Sequence, residues 1–287
     1  MIKYEWRTGL DAAEAGQLAD LLARAAEYDA EPEYNTLAFA DIEQSMATSD
    51  ERARHLVIWM LPYSTALGEM DRPERIAGII RLVADADGQT AEATIVIDPP
   101  LRSIGITTLL LERMGVDRHG PSGPWGGEYE VITAWARGNH PAATRLSNRF
   151  LIPSTRRVWK LICPVDPGDD VVTEVLELVD NPCGAALPEW VTASIAGPVM
   201  TLRDDGRLVA TAQIDPRPVT SEEFGRCATL TSVSLDAGTT DPVASRRRLL
   251  RGAAAAARGA GFAGLVFHVD ADDAKWVNAC RSVGFQH

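Results

Sequence analysis

The stretch VIDPPLRSIGITTLLLERM, residues 96–114, decides the fold of the first half of this 287-residue chain. An apolar β-branched strand ends at two prolines, and a helical run of leucines begins after a single glycine, Gly105. The first N–H groups of a helix have no intrahelical partner and carry partial positive charge, so a glycine there lets an anion approach closely. Arg102 adds a cation at the same turn. The pattern predicts an anion site, with phosphate as the expected ligand; an ordinary strand-to-helix turn has the same pattern.

The elements around this stretch occur twice. Each half has the pattern of a β-hairpin with an Asp-Gly turn, then a strand, a helix, a strand and a helix. Ala93 and Ala228 are 135 residues apart, as are Phe150 and Phe285. A strand–helix–strand unit implies parallel pairing. The sequence therefore predicts an α/β fold with a mixed sheet, present in two domains, 1–165 and 166–287, with the linker in 163–170.

Composition excludes several classes of function. The chain is 46% hydrophobic and 24% charged, which is ordinary for a globular protein, and its net charge of −12 disfavours a nucleic-acid partner. No window of 18 uncharged apolar residues predicts a membrane span, and the N-terminus lacks a signal-peptide pattern. Four scattered cysteines show no metal-ligand spacing. We expect a cytoplasmic monomer or homodimer with reduced thiols, no metal, and no membrane or nucleic-acid partner.

These motifs together resemble the GNAT superfamily of acyl-CoA-dependent N-acyltransferases. The resemblance rests on Arg102-x-x-Gly105-x-Thr107 after a strand that ends in Asp98-Pro99, with Thr107 where the family has Gly or Ala. It rests also on GLVFHVDADDAKWVNACRSVGF, residues 264–285. The doubling and the phrase AWARGNHPAA, residues 134–143, are most similar to the tandem-domain members typified by mycothiol synthase. The resemblance implies two tandem GNAT-type domains.

The resemblance also implies a site for acetyl-CoA, as co-substrate, in the first domain. The strand before the motif splays from the next strand, and its free amides hold the pantetheine arm and the thioester carbonyl. The loop and helix start that follow wrap the pyrophosphate, and a later Asn and its helix lie along the other side. The expected cofactor-binding residues are Ile95, Val96, Ile97, Arg102, Ser103, Ile104, Gly105, Ile106, Thr107, Thr108 and Asn139.

Transfer to an amine needs a base, because an amine is protonated at neutral pH. Glu92, at the start of the motif strand, is the first choice for the base and Glu130 the second. The family often has a tyrosine as general acid seven residues after the Asn, but those positions are Leu146 and Cys280 here. Tyr129 is a candidate substitute for the acid. Both glutamates also fit solvated strand ends, and Cys280 fits a small buried residue.

The second half departs from the motif. Asp241-Pro242 is expected to cap the corresponding helix, so its carboxylate would occupy the helix start and repel a pyrophosphate. We therefore expect that this half has lost standard CoA binding. Nearby arginines either grip a phosphate or form a solvated helix face: Arg246, Arg247, Arg248 and Arg251. The five histidines make no pair at ligand spacing, and His268, on an apolar strand, is expected in the core.

The two halves also differ at their ends. After Phe150 the first half continues into a strand, RRVWKLICPV, residues 156–165, whereas the second stops at His287. The second sheet should then have an open edge, which another segment of the chain or a partner subunit would fill. A shortened C-terminus gives the same pattern.

The sequence thus predicts an acyl-CoA-dependent N-acyltransferase that acts on an amine of a small molecule. In this interpretation the first domain binds acetyl-CoA, and the acceptor lies in a cleft lined by the N-terminal helices and the domain interface. The second domain is structural or shapes the acceptor site. Two alternatives stay open: a non-catalytic CoA-binding or scaffold protein with degenerate GNAT domains, and an acyltransferase for a carrier-bound or peptide acceptor.

Overall fold

The computed structural model divides the chain into two compact units, Met1–Pro153 and Ser154–His287. Among the residues that the structure describes, no helix is long and apolar enough to cross a membrane. The described residues are 1–29, 37–48, 50–61, 74–115, 125, 129–139, 141–165, 176–179, 188, 191, 198–221 and 223–287.

The first unit contains one five-stranded sheet in the order β1-β2-β3-β4-β5. Neighbouring strands are antiparallel except for β4 and β5, which are parallel as the strand–helix–strand pattern predicts. Its elements are β1 (Ile2–Arg7), α1 (Ala12–Tyr28), α2 (Phe39–Ala47), β2 (Ala53–Met60), β3 (Arg75–Ala84), β4 (Thr90–Ile97), α3 (Ile106–Met114), β5 (Val131–Ala134) and α4 (Pro141–Phe150).

Helices cover this sheet on both faces, and the alternation of side chains along the strands decides which face each residue joins. On β4, Ala91 and Ala93 belong to the core cluster that contains α3, whereas Val96 belongs to the cluster that contains α1 and α2. Helix α1 begins at Asp11, whose carboxylate accepts from the N–H of Glu14 in a capping box. The apolar spacing of α1 then buries one helix face against the sheet.

The second unit contains a six-stranded sheet in the order β6-β11-β10-β9-β8-β7. Strands β10 and β11 are parallel, as predicted, and the other pairs are antiparallel. Its elements are β6 (Val158–Pro164), β7 (Glu177–Val179), β8 (Val199–Asp204), β9 (Arg207–Ser221), β10 (Gly225–Leu235), α5 (Pro242–Gly259), β11 (Gly264–Asp270) and α6 (Ala274–Ser282).

Strand β6 corrects the predicted domain boundary. The sequence assigned this strand to the first domain, but all seven of its residues pair with β11, from Val158 with Asp270 to Pro164 with Gly264. The division falls between Pro153 and Ser154 instead of after residue 165, and Cys163 belongs to the strand, not to a linker. The expected open edge of the second sheet is therefore filled by another segment of the same chain. Local order along the chain could not show this, because strand pairing joins distant residues.

Smaller differences concern element ends. Strand β1 was not predicted, helix α2 ends at Ala47 and not at residue 54, and β9 continues to Ser221. His268 was expected in the core but is exposed. Cys163, Cys227 and Cys280 are buried free thiols. Several predicted features lie outside the described residues: the loop before Tyr129, Cys183, His119, His140 and the linker residues 166–170.

Gly78→Ala should destabilise the first unit, because a side chain at this position of β3 would collide with β4. A Cβ there would lie 2.7 Å from the carbonyl oxygen of Val96 and 2.6 Å from Cδ1 of Ile97. We expect the free energy of unfolding in urea to fall by about 1–3 kcal/mol. Gly16→Ala in α1 is the control: its Cβ meets no atom within 4 Å, and helix propensity should raise stability by about 0.5–1 kcal/mol. Equal effects of the two changes would contradict this packing.

Leu161→Ala tests the placement of β6. Leu161 is 3% exposed and belongs to the second unit's core cluster, so we expect its truncation to cost about 2–5 kcal/mol. Amide hydrogen exchange should accelerate in β10 and β11, while protection in β2 and β3 stays unchanged. Faster exchange in the first sheet with an unchanged second sheet would return β6 to the first domain.

Candidate functional site

Strands β4 and β5 separate part-way along their length. Their pairing runs from Thr90 with Val131 to Ala93 with Ala134, and β5 ends there. Strand β4 continues to Ile97, still paired with β3 as far as Gly78. A wedge therefore opens beside residues 94–97, on the side of β4 that faces away from β3.

The hydrogen bonds on either side of β4 show which backbone groups face this wedge. The carbonyl of Gln89 accepts from the N–H of Glu130 at 2.8 Å, so the backbone N–H and C=O groups of odd-numbered residues in β4 point toward β5. The N–H of Asp98 donates to the carbonyl of Ala77 at 2.9 Å, so the backbone groups of even-numbered residues point toward β3. The alternation of a strand then turns the N–H groups of Ile95 and Ile97 toward the wedge. No residue in the described part of β5 pairs with them.

The turn after β4 leaves the start of α3 without a side-chain cap. The N-cap residue is Gly105, with φ of 88°, and no side chain in the described part of the chain caps the first turn of the helix. A Cβ at Gly105 would meet no atom within 4 Å, so the space in front of it is open. Ser103, with φ of 65°, also has left-handed backbone. This geometry fits a group that carries a pyrophosphate, because unpartnered N–H groups and open space lie together.

Arg102 is engaged by the protein itself. Its guanidinium pairs with both carboxylate oxygens of Asp29, its Nε donates to the carbonyl of Ile97 at 3.0 Å, and it stacks on the ring of Tyr28. Arg102 therefore ties the turn to the end of α1 and to the last residue of β4. Its predicted contact with pyrophosphate stays a prediction, in competition with Asp29.

A second ion pair holds the end of β4. Asp98 is 1% exposed, and its carboxylate accepts from Nε and Nη2 of Arg24 on α1, both at 3.2 Å. A buried carboxylate requires such a partner, since an unpaired charge would be costly to bury. The two ion pairs fix β4 and the turn against α1 while β5 departs.

The three catalytic candidates lie in different surroundings. Glu92 is exposed, and its pairing with Val83 and Thr133 places it on the face of the sheet that carries α1, one step before Thr94. Glu130 is also exposed, just before β5. Tyr129 is 9% exposed and packs in the core cluster with α3. Of the three candidates, Glu92 is the nearest in sequence to residues 94–97 of the wedge, whereas Tyr129 lies in the core.

The other predicted cofactor residues follow the turn and the helix. Ile104 is 59% exposed, whereas Ile106 is 5% exposed and packs under α3. Thr107 and Thr108 lie half-buried in the first turn of α3. Asn139 ends a short 3₁₀ turn before α4, and its side chain lies outside the described part of the chain.

In the second unit a carboxylate occupies the corresponding helix start. One oxygen of Asp241 accepts from the N–H of Val243 at 3.1 Å and of Ala244 at 2.9 Å, and Pro242 is the first residue of α5. The predicted cap is therefore present. An anion at this helix start would have to displace Asp241.

The arginines of α5 are largely engaged as well. Arg246 stacks on Trp276 and donates to the carbonyl of Pro242, Arg247 donates to Ser282, and Arg248 pairs with Asp204. These contacts match the interpretation as a helix face and not as a phosphate grip. Cys280 is fully buried, and burial raises its pKa to about 12, so its thiol is not suited to act as an acid at neutral pH.

The second unit also has a wedge, which the sequence did not predict. Strand β10 pairs with β11 only from Cys227 to Leu230, and a cavity of about 350 Å³ opens beyond that point. The offset between the halves was the available signal, because Thr231 lies 135 residues after Val96. The lining includes Thr231, Ser232, His268, Asp270 and Trp276. The described residues contain no cluster of three or more side chains placed to hold a metal.

A buried histidine lies on the α1 face of the first sheet. His55 is 3% exposed and its Nε2 lies 3.1 Å from Oγ of Ser45, which donates to the carbonyl of Ile42. The pKa of His55 is lowered from 6.5 to about 4, mainly by burial and also by the nearby charge of Arg81, against a smaller opposite effect of Asp50. His55 is therefore neutral at physiological pH.

Two solved structures cover almost the whole chain. A tandem GNAT protein from the clavulanic acid biosynthesis pathway matches with a TM-score of 0.58 and 13% identity, over 100% of this chain and 95% of that one. A GCN5-related N-acetyltransferase from Sphaerobacter thermophilus matches with a TM-score of 0.55 and 14% identity, over 99% and 92%.

The chain has the tandem GNAT fold. This confirms the architecture that the sequence resemblance implied.

Sequence relatives agree with this tandem GNAT fold. Mycothiol acetyltransferase of Renibacterium salmoninarum is 30% identical over 111 residues, 38% of this chain and 29% of that protein. Mycothiol acetyltransferase of Pseudarthrobacter chlorophenolicus is 28% identical over 158 residues, 53% of this chain and 43% of that protein. The matches thus span less than half the length of these relatives. No family model matches the chain.

The pH dependence of stability should report the neutral state of His55. Above pH 6.5 the imidazole is neutral in both the folded and the unfolded chain. As the pH falls from 6.5 toward 4, the unfolded chain binds a proton that the folded chain excludes, so the free energy of unfolding should fall by up to about 3 kcal/mol. Urea unfolding of the wild type and of His55→Gln across this range measures the effect. The variant should lose this slope; identical slopes would contradict the assignment.

Proposed function

We propose that this tandem GNAT protein is an acetyl-CoA-dependent N-acetyltransferase that acts on an amine of a small molecule. The first unit binds acetyl-CoA and the transfer is direct, from thioester to amine. One observation carries the proposal: the wedge between β4 and β5 adjoins the uncapped start of α3, and both present unpartnered backbone N–H groups. The relatives named mycothiol acetyltransferase support acetyl transfer as the reaction class.

Acetyl-CoA would supply the acetyl group as a thioester, and the residues of the chain would position it. The N–H groups of residues 103–108 would bind the pyrophosphate at the start of α3. Arg102, held by Asp29, would act by fixing this turn. The side of β4 that carries Ile95 and Ile97 would hold the pantetheine arm.

Strand β4 would also stabilise the transition state of the transfer. When an amine attacks the thioester, the carbonyl oxygen becomes negatively charged, and a positioned N–H group stabilises it. The N–H groups of Ile95 and Ile97 face the wedge where this oxygen would lie. Glu92 would accept the proton of the amine, since it is exposed and shares the α1 face with Thr94. As the carbonyl re-forms, the carbon–sulfur bond breaks and CoA leaves as a thiolate, which takes a proton from solvent. Glu130 is the second candidate, on the adjacent strand.

The second unit would not hold a second acetyl-CoA in the same way. Asp241 already satisfies the first N–H groups of α5, and its charge would repel a pyrophosphate. In this proposal the second unit is structural or shapes the acceptor site.

Calorimetry with acetyl-CoA on the wild type and on Gly105→Glu tests the phosphate site. A side chain at φ of 88° is strained, and a carboxylate at this helix start would repel the pyrophosphate, so affinity should fall about ten-fold or more. Gly261→Glu is the matched control, because Gly261 also has positive φ and open space but lies in the second unit. Equal affinity of Gly105→Glu and the wild type would refute the site.

An assay of thiol release with a panel of amines then separates an enzyme from a CoA-binding protein. Release of CoA only when both acetyl-CoA and an amine are present supports the transferase. Tight binding of acetyl-CoA without release for any amine would favour the non-catalytic alternative.

A further inference from the structure

Arg81 is a charged residue in the middle of an apolar strand, and among the described residues no carboxylate pairs with it. Strand β3 reads RIAGIIRLVA, and Arg81 interrupts its run of buried residues. Its Nε atom is buried without a hydrogen-bond partner, and no described carboxylate forms an ion pair with its guanidinium. A buried donor left unpaired costs free energy, so a partner is expected from outside the described chain. Arg246 has a buried Nε of the same kind, but it stacks on Trp276 and donates to Pro242.

Arg81 lies across from the point on β4 where the wedge begins. Its cross-strand partner on β4 is Thr94, the first residue of β4 beyond the pairing with β5. Along β3, side chains alternate between the faces, and Ile79 belongs to the core cluster of α1. Arg81 therefore points to the α1 face, where the wedge begins.

The neighbours of Arg81 do not neutralise it. On β2 its cross-strand partner is His55, which is neutral and bonded to Ser45. Asp50 acts on His55 as well, but its carboxylate contacts Arg52. These contacts leave the positive charge of Arg81 available to an anion.

The carboxylate of Glu92 lies on the same face of the sheet as Arg81. Glu92 is two residues before Thr94, so it is diagonal to Arg81 across β3 and β4, with Cα atoms about 7–8 Å apart in such a pair. The two side chains form no ion pair. A cation and an anion held apart on one face match a ligand that carries both charges at a short separation.

We propose that Arg81 binds the carboxylate of an acceptor whose amine and carboxylate lie close together, as in an α-amino acid. This rests on the proposed function, in which Glu92 receives the proton of the amine. Arg81 would donate charge-assisted hydrogen bonds to the carboxylate, for which its planar guanidinium is suited. The amine of the acceptor would then face Glu92 and the thioester carbonyl of acetyl-CoA, which the N–H groups of β4 would hold. Arg81 thereby selects the acceptor and takes no part in the proton transfer.

The test compares the twenty standard amino acids with their α-carboxamides in the thiol-release assay with acetyl-CoA. At least one amino acid should be a substrate, and its carboxamide should have a kcat/KM about 10- to 100-fold lower, as expected for one lost charged hydrogen bond. Arg81→Gln should lower kcat/KM for the amino acid by a similar factor and leave the carboxamide unchanged. Arg81→Lys, which keeps the charge but not the planar fork, should lie between them.

Arg54→Gln is the matched control, because Arg54 lies on the adjacent strand β2 and points to the opposite face of the sheet. Thermal unfolding checks that each variant is folded, and Arg81→Lys carries the test where Arg81→Gln does not fold. Calorimetry of the same amino acids gives a readout that does not need turnover.

The outcomes separate this inference from the proposed function. Binding of an amino acid that Arg81→Gln abolishes and Arg54→Gln keeps, without acetyl transfer, would support the inference and refute the transferase. Transfer to amines without a carboxylate, equal in wild type and Arg81→Gln, would support the transferase and overturn the inference. Failure of every amino acid to bind or to react would also overturn the inference.

Discussion

Strand β4 keeps its hydrogen bonds to β3 along its whole length but loses β5 after Ala93, and the candidate site depends on this separation. A strand buried between two neighbours would leave no backbone N–H group for a ligand. Here the ion pairs of Asp98 with Arg24 and of Arg102 with Asp29 hold the end of β4 and its turn against α1. The pairing of β5 with β4 ends at Ala134. The wedge, the uncapped helix start and the exposed Glu92 all lie along this one feature.

The two units share an architecture but differ by a few atoms at one helix start. In both units two parallel strands separate part-way along their length. A helix connects the two strands, α3 in the first unit and α5 in the second. In the first unit the helix start has glycine and open space, and in the second it has a carboxylate that accepts two hydrogen bonds. A proline and an aspartate are sufficient to cap a helix start that a glycine leaves open. The second unit also has a cavity beside the end of the β10–β11 pairing, lined by polar residues such as Thr231 and His268.

Much of the fold was accessible from local patterns. Helix α5 and its cap at Asp241 follow from an N-cap residue, a proline and a regular apolar spacing, all of which act within a few residues. The parallel pairing of β4 with β5 follows from the connection through α3. The roles of Arg102 and Tyr129 did not follow in this way. Arg102 meets Asp29, 73 residues away, and Tyr129 is drawn into the core under α3. The charge of Arg81 within an apolar run was visible in the sequence, but only the structure shows that no described carboxylate pairs with it.

By itself, the sequence determined the doubled α/β order of elements, the glycine at the start of α3 and the acidic cap at the start of α5, because hydrophobic periodicity and capping act over short distances along the chain. Only the tertiary structure decided that β6 completes the second sheet, where β4 and β5 part, and which charges find partners. Those features arise from pairing between residues far apart in the chain, and many pairings satisfy the same local pattern. The free energy of packing and of burying charge selects one of them.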